Sequence, residues 1–159
     1  MNNSNVGLNK NIYTGDNMNK ETYDVFLTKA NGNSEVAKVS ADLKKYHSAV
    51  NRYYYSAYQK MLYILYAESV FNQYDPERPH NDVFHAFAKL AGERYRGLLG
   101  FNGMGSIMYY HKIRNLRKEA DYSAVLINEG NYRTEFFDYY KEFVGHIDKI
   151  IIEVGRQVK

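Results

Sequence analysis

The sequence predicts an all-α fold, an antiparallel up-and-down bundle of four to five helices. Three observations carry this. Apolar residues recur at spacings of three and four over long stretches, as one buried face of a helix requires. No segment between turn signals alternates apolar and polar residues with the period of two that a half-buried strand shows. The breaks are few and sharply marked, and both prolines of the chain fall in one of them.

Taken in chain order, residues 1–33 read as a polar, partly disordered lead rich in Asn, Ser, Gly and Lys, with room for a short helix around 20–29. "NGNSE" (31–35) reads as a turn and a helix start, so the bundle is expected over 34–159. Residues 34–72 are helix-compatible throughout; Ser40 or Asp42 can cap an internal start, and one helix or two both fit. The strongest periodicity runs over 50–70, where Val50, Tyr54, Ala57, Met61 and Ile64 share a face that Tyr58, Leu62 and Leu65 widen. "YDPERPHND" (74–82) is the clearest break, and Asn81 or Asp82 is placed to cap the helix carrying Val83, Phe84, Phe87, Leu90 and Ala91. "GLLGFNGMGS" (97–106) reads as a second break, followed by a helix over 106–116. "NEGN" (128–131) reads as a third, after which Phe136, Tyr140, Phe143, Ile147, Ile150 and Val154 trace a long amphipathic helix.

At 159 residues, 45% of them hydrophobic, the chain has the size of one domain with a real core. No apolar run approaches a membrane span and the first thirty residues hold no continuous apolar signal core, so no membrane partner is expected. The absence of cysteine excludes disulfide and thiolate chemistry and fits a cytoplasmic protein. His80 and His85 have no His or Cys neighbours at ligand spacing, so neither a metal nor another cofactor is expected. "GFNGMG" follows no strand and lacks the Gly-Lys-Ser/Thr of a phosphate loop. There are 17 Tyr and no Trp. A buried Tyr needs a partner for its hydroxyl, so the core should contain polar links. Tyr53, Tyr54 and Tyr55 point about 100° apart on a helix and cannot all face one ligand, which places at least two in the core or a dimer interface.

Net charge is only +3, so any anionic partner must be held by local clustering. "HKIRNLRKEADY" (111–122) supplies it, with His111, Lys112, Arg114, Arg117 and Lys118 in eight positions. Arg52, Lys44, Lys45, His47 and Lys60 form a second acid-free stretch. If the two helices are neighbours, their charges merge into a patch suited to RNA phosphates, with Asn51, Arg52, Lys112 and Lys118 as contacts.

Two of these stretches also resemble a known family. "SAVNRYYYSAYQKMLYILYAE" (48–68) resembles the Asn-Arg-x-Tyr-Tyr-Ala helix of the HEPN superfamily, and "LRKEADY" (116–122) resembles the Arg-x-x-Ala-Asp-Tyr signature of one of its branches, matched by Arg117, Ala120, Asp121 and Tyr122. "HNDVFHAF" (80–87) sits where that branch has a His before its third helix, and "FFDYYKEFVGHIDKII" (136–151) resembles its last helix. The resemblance covers about residues 42–155. It implies a helical bundle that dimerises and acts on RNA in prokaryotic toxin–antitoxin, defence or mobile-element systems, often beside a nucleotidyltransferase partner. Active members use an Arg-x(4–6)-His pair, matched across the dimer, for metal-independent RNA cleavage.

That pair is not intact at the expected place. Arg114-Asn115 begins it, but 119–121 hold Glu, Ala and Asp. His111 lies three residues upstream of Arg114, on the same helical face, and is the candidate base for a rearranged pair. Arg117, Asp121 and Tyr122 are then expected to organise the catalytic site. An Arg78…His85 match straddles Pro79 and a break and is set aside. A second reading stays open, a non-catalytic module engaging RNA or a partner protein. In it Arg117 and Asp121 pair along the helix, Asn51 and Arg52 reach the same corner, and Tyr122 plugs the bundle end.

Overall fold

The computed structural model describes residues 19–124 and 126–157, and among them the chain is helical with no strand. The elements are α1 (Lys20–Asp42), α2 (Tyr46–Ala67), α3 (His80–Arg94), α4 (Arg96–Ile107), α5 (Tyr109–Tyr122), α6 (Glu129–Asn131), a π-helical turn (Tyr132–Phe137) and α7 (Asp138–Gln157). They form an all-α bundle. α2 is its central member, packed against α1, α3, α5 and α7. Its apolar stripe accounts for that position: Val50, Tyr54, Ala57, Met61, Ile64 and Leu65 are all essentially inaccessible. The six apolar residues traced from Phe136 to Val154 are likewise buried, and they close the bundle from the α7 side.

α1 begins at Asn19, whose side-chain oxygen accepts from the Thr22 amide at 3.0 Å. It then runs straight through Asn31-Gly32-Asn33, where the sequence predicts a turn. The reason is packing. Phe26, Ala30 and Ala37 lie on one buried stripe that spans the Asn-Gly-Asn segment, and burial against α2 outweighs the cost of about 1 kcal/mol for an interior glycine. The buried helix therefore begins well before residue 34. Residues 1–18, the rest of the predicted lead, lie outside the described residues.

α1 and α2 are two helices, separated by a tight reversal. Lys45 N–H bonds the Ser40 carbonyl at 2.8 Å and Lys44 N–H the Ala41 carbonyl at 2.9 Å, with Lys44 held at φ +56°. The end of α2 repeats this arrangement. Val70 N–H bonds Leu65 O, Ser69 N–H bonds Tyr66 O, and Ser69 sits at φ +56°. These are Schellman ends with a side chain where glycine is usual. Ser69 is exposed, so Ser69→Gly should stabilise the protein by about 0.5–1 kcal/mol by removing the left-handed strain. Chemical denaturation checks this; an unchanged or lowered midpoint would mean that the strain is absent.

The remaining breaks are less open than their composition implies. Pro79 precedes α3, and neither Asn81 nor Asp82 caps it; both lie inside its first turn, where Asp82 complements the helix dipole. The glycine-rich stretch 97–106 is helix with a single kink at Gly100 (φ +66°, ψ −175°), not an open loop. Gly103 is held by close approach, since a Cβ there would lie 2.9 Å from His146 Nδ1. "NEGN" starts a helix: Asn128 caps it, accepting from the Asn131 amide at 2.9 Å.

Candidate functional site

α2 and α5 are neighbours, and one end of their contact gathers a cluster of polar side chains. Asn51, Tyr54, Tyr55 and Tyr58 lie on one stripe of α2, at steps of three and four. Tyr110, Arg114, Arg117 and Asp121 do the same on α5. His80, the first residue of α3, enters between them.

Arg117 is the hub of one half. Its Nη2 pairs with Asp121 Oδ2 at 2.8 Å and donates to the Tyr55 hydroxyl at 3.0 Å, while its Nε reaches Asn51 Oδ1 at 3.5 Å. Asn51 Nδ2 donates to Asp121 Oδ1 at 2.5 Å and closes the ring. The Arg117 and Asp121 side chains are 17% and 21% exposed. The guanidinium carbon also lies 5.4–5.9 Å from the rings of Tyr54, Tyr55 and Tyr122. The expected i,i+4 pair and its Asn51 support are thus present. Tyr122 does not plug the bundle: it is the last residue of α5 and is 81% exposed. Arg52 turns away as well, donating to Asn33 on α1 at 3.2 Å.

His80 is the hub of the other half, and the sequence reading left it out of the site. Its ring stacks on Tyr58 (centroids 4.1 Å apart) and its Nδ1 lies 2.7 Å from the Tyr54 hydroxyl. Tyr54 lies 2.9 Å from the Tyr110 hydroxyl, which donates to the His80 carbonyl at 3.4 Å. Each hydroxyl has one hydrogen. The chain can run two ways: Tyr110 donates to the carbonyl, Tyr54 to Tyr110 and His80 Nδ1–H to Tyr54, or Tyr110 donates to Tyr54 and Tyr54 to His80 Nδ1. In the first arrangement Nε2 is the bare nitrogen; in both it has no hydrogen-bond partner among the described residues. Burial lowers the His80 pKa below its ordinary 6.5, and the Arg117 and Arg114 charges lower it further. Burial raises the Tyr54 and Tyr110 hydroxyls and pushes Tyr58 up to about 12, so all three stay neutral donors. The arrangement is an imidazole kept towards its neutral form and held in place by Tyr54 and Tyr58, in the field of two guanidiniums. Arg114 is half-buried and makes no hydrogen bond or ion pair among the described residues.

The other predicted site residues are not brought together. The His111 ring packs edge-on against Phe84, 4.8 Å between centroids, and neither ring nitrogen has a hydrogen-bond partner among the described residues to orient it. Lys112 reaches α7, donating to the Tyr139 hydroxyl at 2.8 Å with its ammonium 4.0 Å from that ring's centre. Lys118 is exposed. Lys60 pairs with Asp148 on α7 at 2.5 Å. The two basic stretches therefore do not merge into one patch. Among the described residues no group of His, Cys, Asp and Glu is placed to hold a metal, and no helix is long and apolar enough to cross a membrane. No known family model matches the chain, and no curated protein or solved structure matches it.

Proposed function

We propose that this protein acts on RNA, cleaving its backbone without a metal through His80 and Arg114. The observation that carries this is the His80 ring, positioned by Tyr54 and Tyr58 with its Nε2 free of partners among the described residues, in the field of the unpaired Arg114 guanidinium. RNA carries its own nucleophile. A base removes the 2′-hydroxyl proton, the 2′ oxygen bonds to the adjacent phosphorus, and the phosphorus–5′-oxygen bond breaks. This leaves a 2′,3′-cyclic phosphate and a 5′-hydroxyl whose proton comes from solvent. His80 Nε2 serves as the base and Arg114 holds the phosphate as charge builds on it. Arg117 is a positioning residue, since its Nη2 and Nε are already engaged by Asp121, Tyr55 and Asn51. The motif resemblance to HEPN proteins supports the same reading and adds its context: a cytoplasmic, homodimeric component of a toxin–antitoxin, defence or mobile-element system, with a nucleotidyltransferase as a candidate partner.

Purified protein incubated with total RNA in excess chelator tests this. Arg114→Ala should slow cleavage by about 10²–10³-fold and reduce the dependence of RNA affinity on log salt by about one unit. Equal cleavage by both proteins removes the assignment. A second reading, a non-catalytic helical module binding RNA or a partner protein, is favoured by the engagement of Arg117 in the Asp121–Asn51–Tyr55 cluster. Salt-sensitive RNA binding without cleavage by the unaltered protein would establish its RNA form.

A further inference from the structure

The most exposed large apolar side chain among the described residues is Phe101 of α4, at 94%. It has company. Phe101, Met104, Gly105 and Met108 are related by steps of three and four, so they share one side of the helix beyond the Gly100 kink. Met108 is exposed as well, and Met104 is half-buried, its methyl reaching back towards Gly92 of α3. A cavity of about 420 Å³ opens here, lined by Arg96, Gly100, Phe101, Met104 and Gly105. That is within the usual range of small-ligand sites, about 300–1,000 Å³. It shares no residue with the His80 site.

Two features of the lining are not explained by the fold. The first is Gly105. Gly100 is needed for its positive φ, but Gly105 is helical, and a Cβ there would meet nothing within 4 Å. Glycine inside a helix lowers its stability, and neither a turn nor packing asks for this one. Its missing side chain leaves the cavity open. The second is charge. Residues 97–110 hold no charged side chain. Arg96 is the only charge on α4 and the only charged group lining the cavity. It is exposed, and its guanidinium makes no hydrogen bond or ion pair among the described residues.

We propose that this cavity binds a free fatty acid of medium chain length. The chain lies along Phe101, Met104 and the bare backbone at Gly105, and the carboxylate pairs with Arg96. A lone guanidinium at one end of an apolar wall complements a ligand with one anionic head, and its planar fork matches a carboxylate. Met104 adapts to a flexible chain, and the cavity volume limits that chain to medium length. The site does not depend on the reading of His80.

Calorimetric titration of the full chain with octanoate, decanoate and dodecanoate, each below its micelle concentration, is the test. From octanoate to decanoate the affinity should rise about fourfold per methylene, and it should rise less from decanoate to dodecanoate once the cavity is full. Gly105→Leu puts a good helix former into the cavity. It should keep the protein folded and weaken decanoate by about tenfold or more, the worth of two buried methylenes. Arg96→Gln should weaken decanoate about threefold and leave neutral decanol unchanged. No decanoate binding by the folded protein overturns the proposal. So does unchanged binding by Gly105→Leu, or an affinity that climbs undiminished to dodecanoate, as unspecific adsorption would. Two results overturn it by naming another occupant. Sedimentation with phosphatidylglycerol vesicles without decanoate binding assigns the face to a bilayer. Self-association abolished by Phe101→Ser, again without decanoate binding, assigns it to a second copy.

Discussion

Replacing His80 with alanine should lower RNA cleavage by about 10²–10⁴-fold, the range a positioned general base contributes. His111→Ala should leave the rate near that of the unaltered protein, because His111 packs on Phe84 and has no orienting partner among the described residues. The two substitutions separate the structural assignment from the one the motif spacing favours, and the reverse pattern would restore His111 as the base. The pH profile gives an independent reading. His80 must be neutral to accept a proton, and burial, Arg117 and Arg114 all lower its pKa from 6.5. The rate should therefore rise with pH on the acid side of 6.5 and be level from there to about pH 8. Arg114→Ala removes one lowering charge and should shift the rising limb towards higher pH. Stability follows the same sign. The folded protein takes up the His80 proton less readily than the unfolded chain, so stability is complete above 6.5 and is lost as pH falls through the folded-state value. A rate limb centred above 6.5 would show that His80 is not the titrating base. Tyr54→Phe tests the orienting chain. It removes the hydroxyl that holds Nδ1 and should lower kcat more than it raises KM.

The bundle was legible because its helices carry long, regular stripes: the apolar positions read along α2, α3 and α7 are buried, apart from the half-buried Tyr58 and Leu90. What misled was punctuation. Asn31-Gly32-Asn33 and the glycine-rich 97–106 have the composition of loops, yet both are helical because apolar residues on either side are buried together. A local signal of about 1 kcal/mol per glycine cannot compete with packing. In the candidate site, Arg117, Asp121 and Asn51 were legible because a fixed helical spacing and one helix contact suffice to join them. His80 was not. It reaches the site across the proline-containing segment between α2 and α3, and no periodicity specifies where that segment returns. A signal did exist in Tyr54 and Tyr110: two fully buried hydroxyls on facing helices need a polar partner, and His80 is the one they find. Lys112 shows the converse error. Proximity in sequence to Arg114 placed it in the patch, whereas its position on the helix sends it to Tyr139.

Arg117→Met should cost about 2–3 kcal/mol of folding stability, a fall in Tm of about 6 °C for a chain of this size. Methionine preserves much of the stem's packing, so the loss reports the guanidinium. Without it the Asp121 carboxylate keeps only the Asn51 amide, and the Tyr55 hydroxyl loses its donor. The figure sits below the range for fully buried pairs because both side chains are about one-fifth exposed, which lets water replace part of what is lost. Asp121→Asn should cost less, about 1 kcal/mol, because an amide still offers an oxygen to Arg117 and leaves no uncompensated anion. The double variant Arg117→Met/Asp121→Leu should recover part of the loss, since removing both charges removes the desolvation penalty of the survivor. Denaturant titration of the three proteins decides the matter. If Arg117→Met unfolds at the same midpoint as the unaltered chain, the cluster does not hold α5 on α2. If it is destabilised and the double variant is not rescued at all, hydrogen-bond geometry outweighs charge. This bears directly on the cleavage site. Arg114 lies one turn from Arg117 on the same helix face, and His80 answers to both charges, so a loosened α5 should blur the His80 pH profile while Arg114 itself is unchanged.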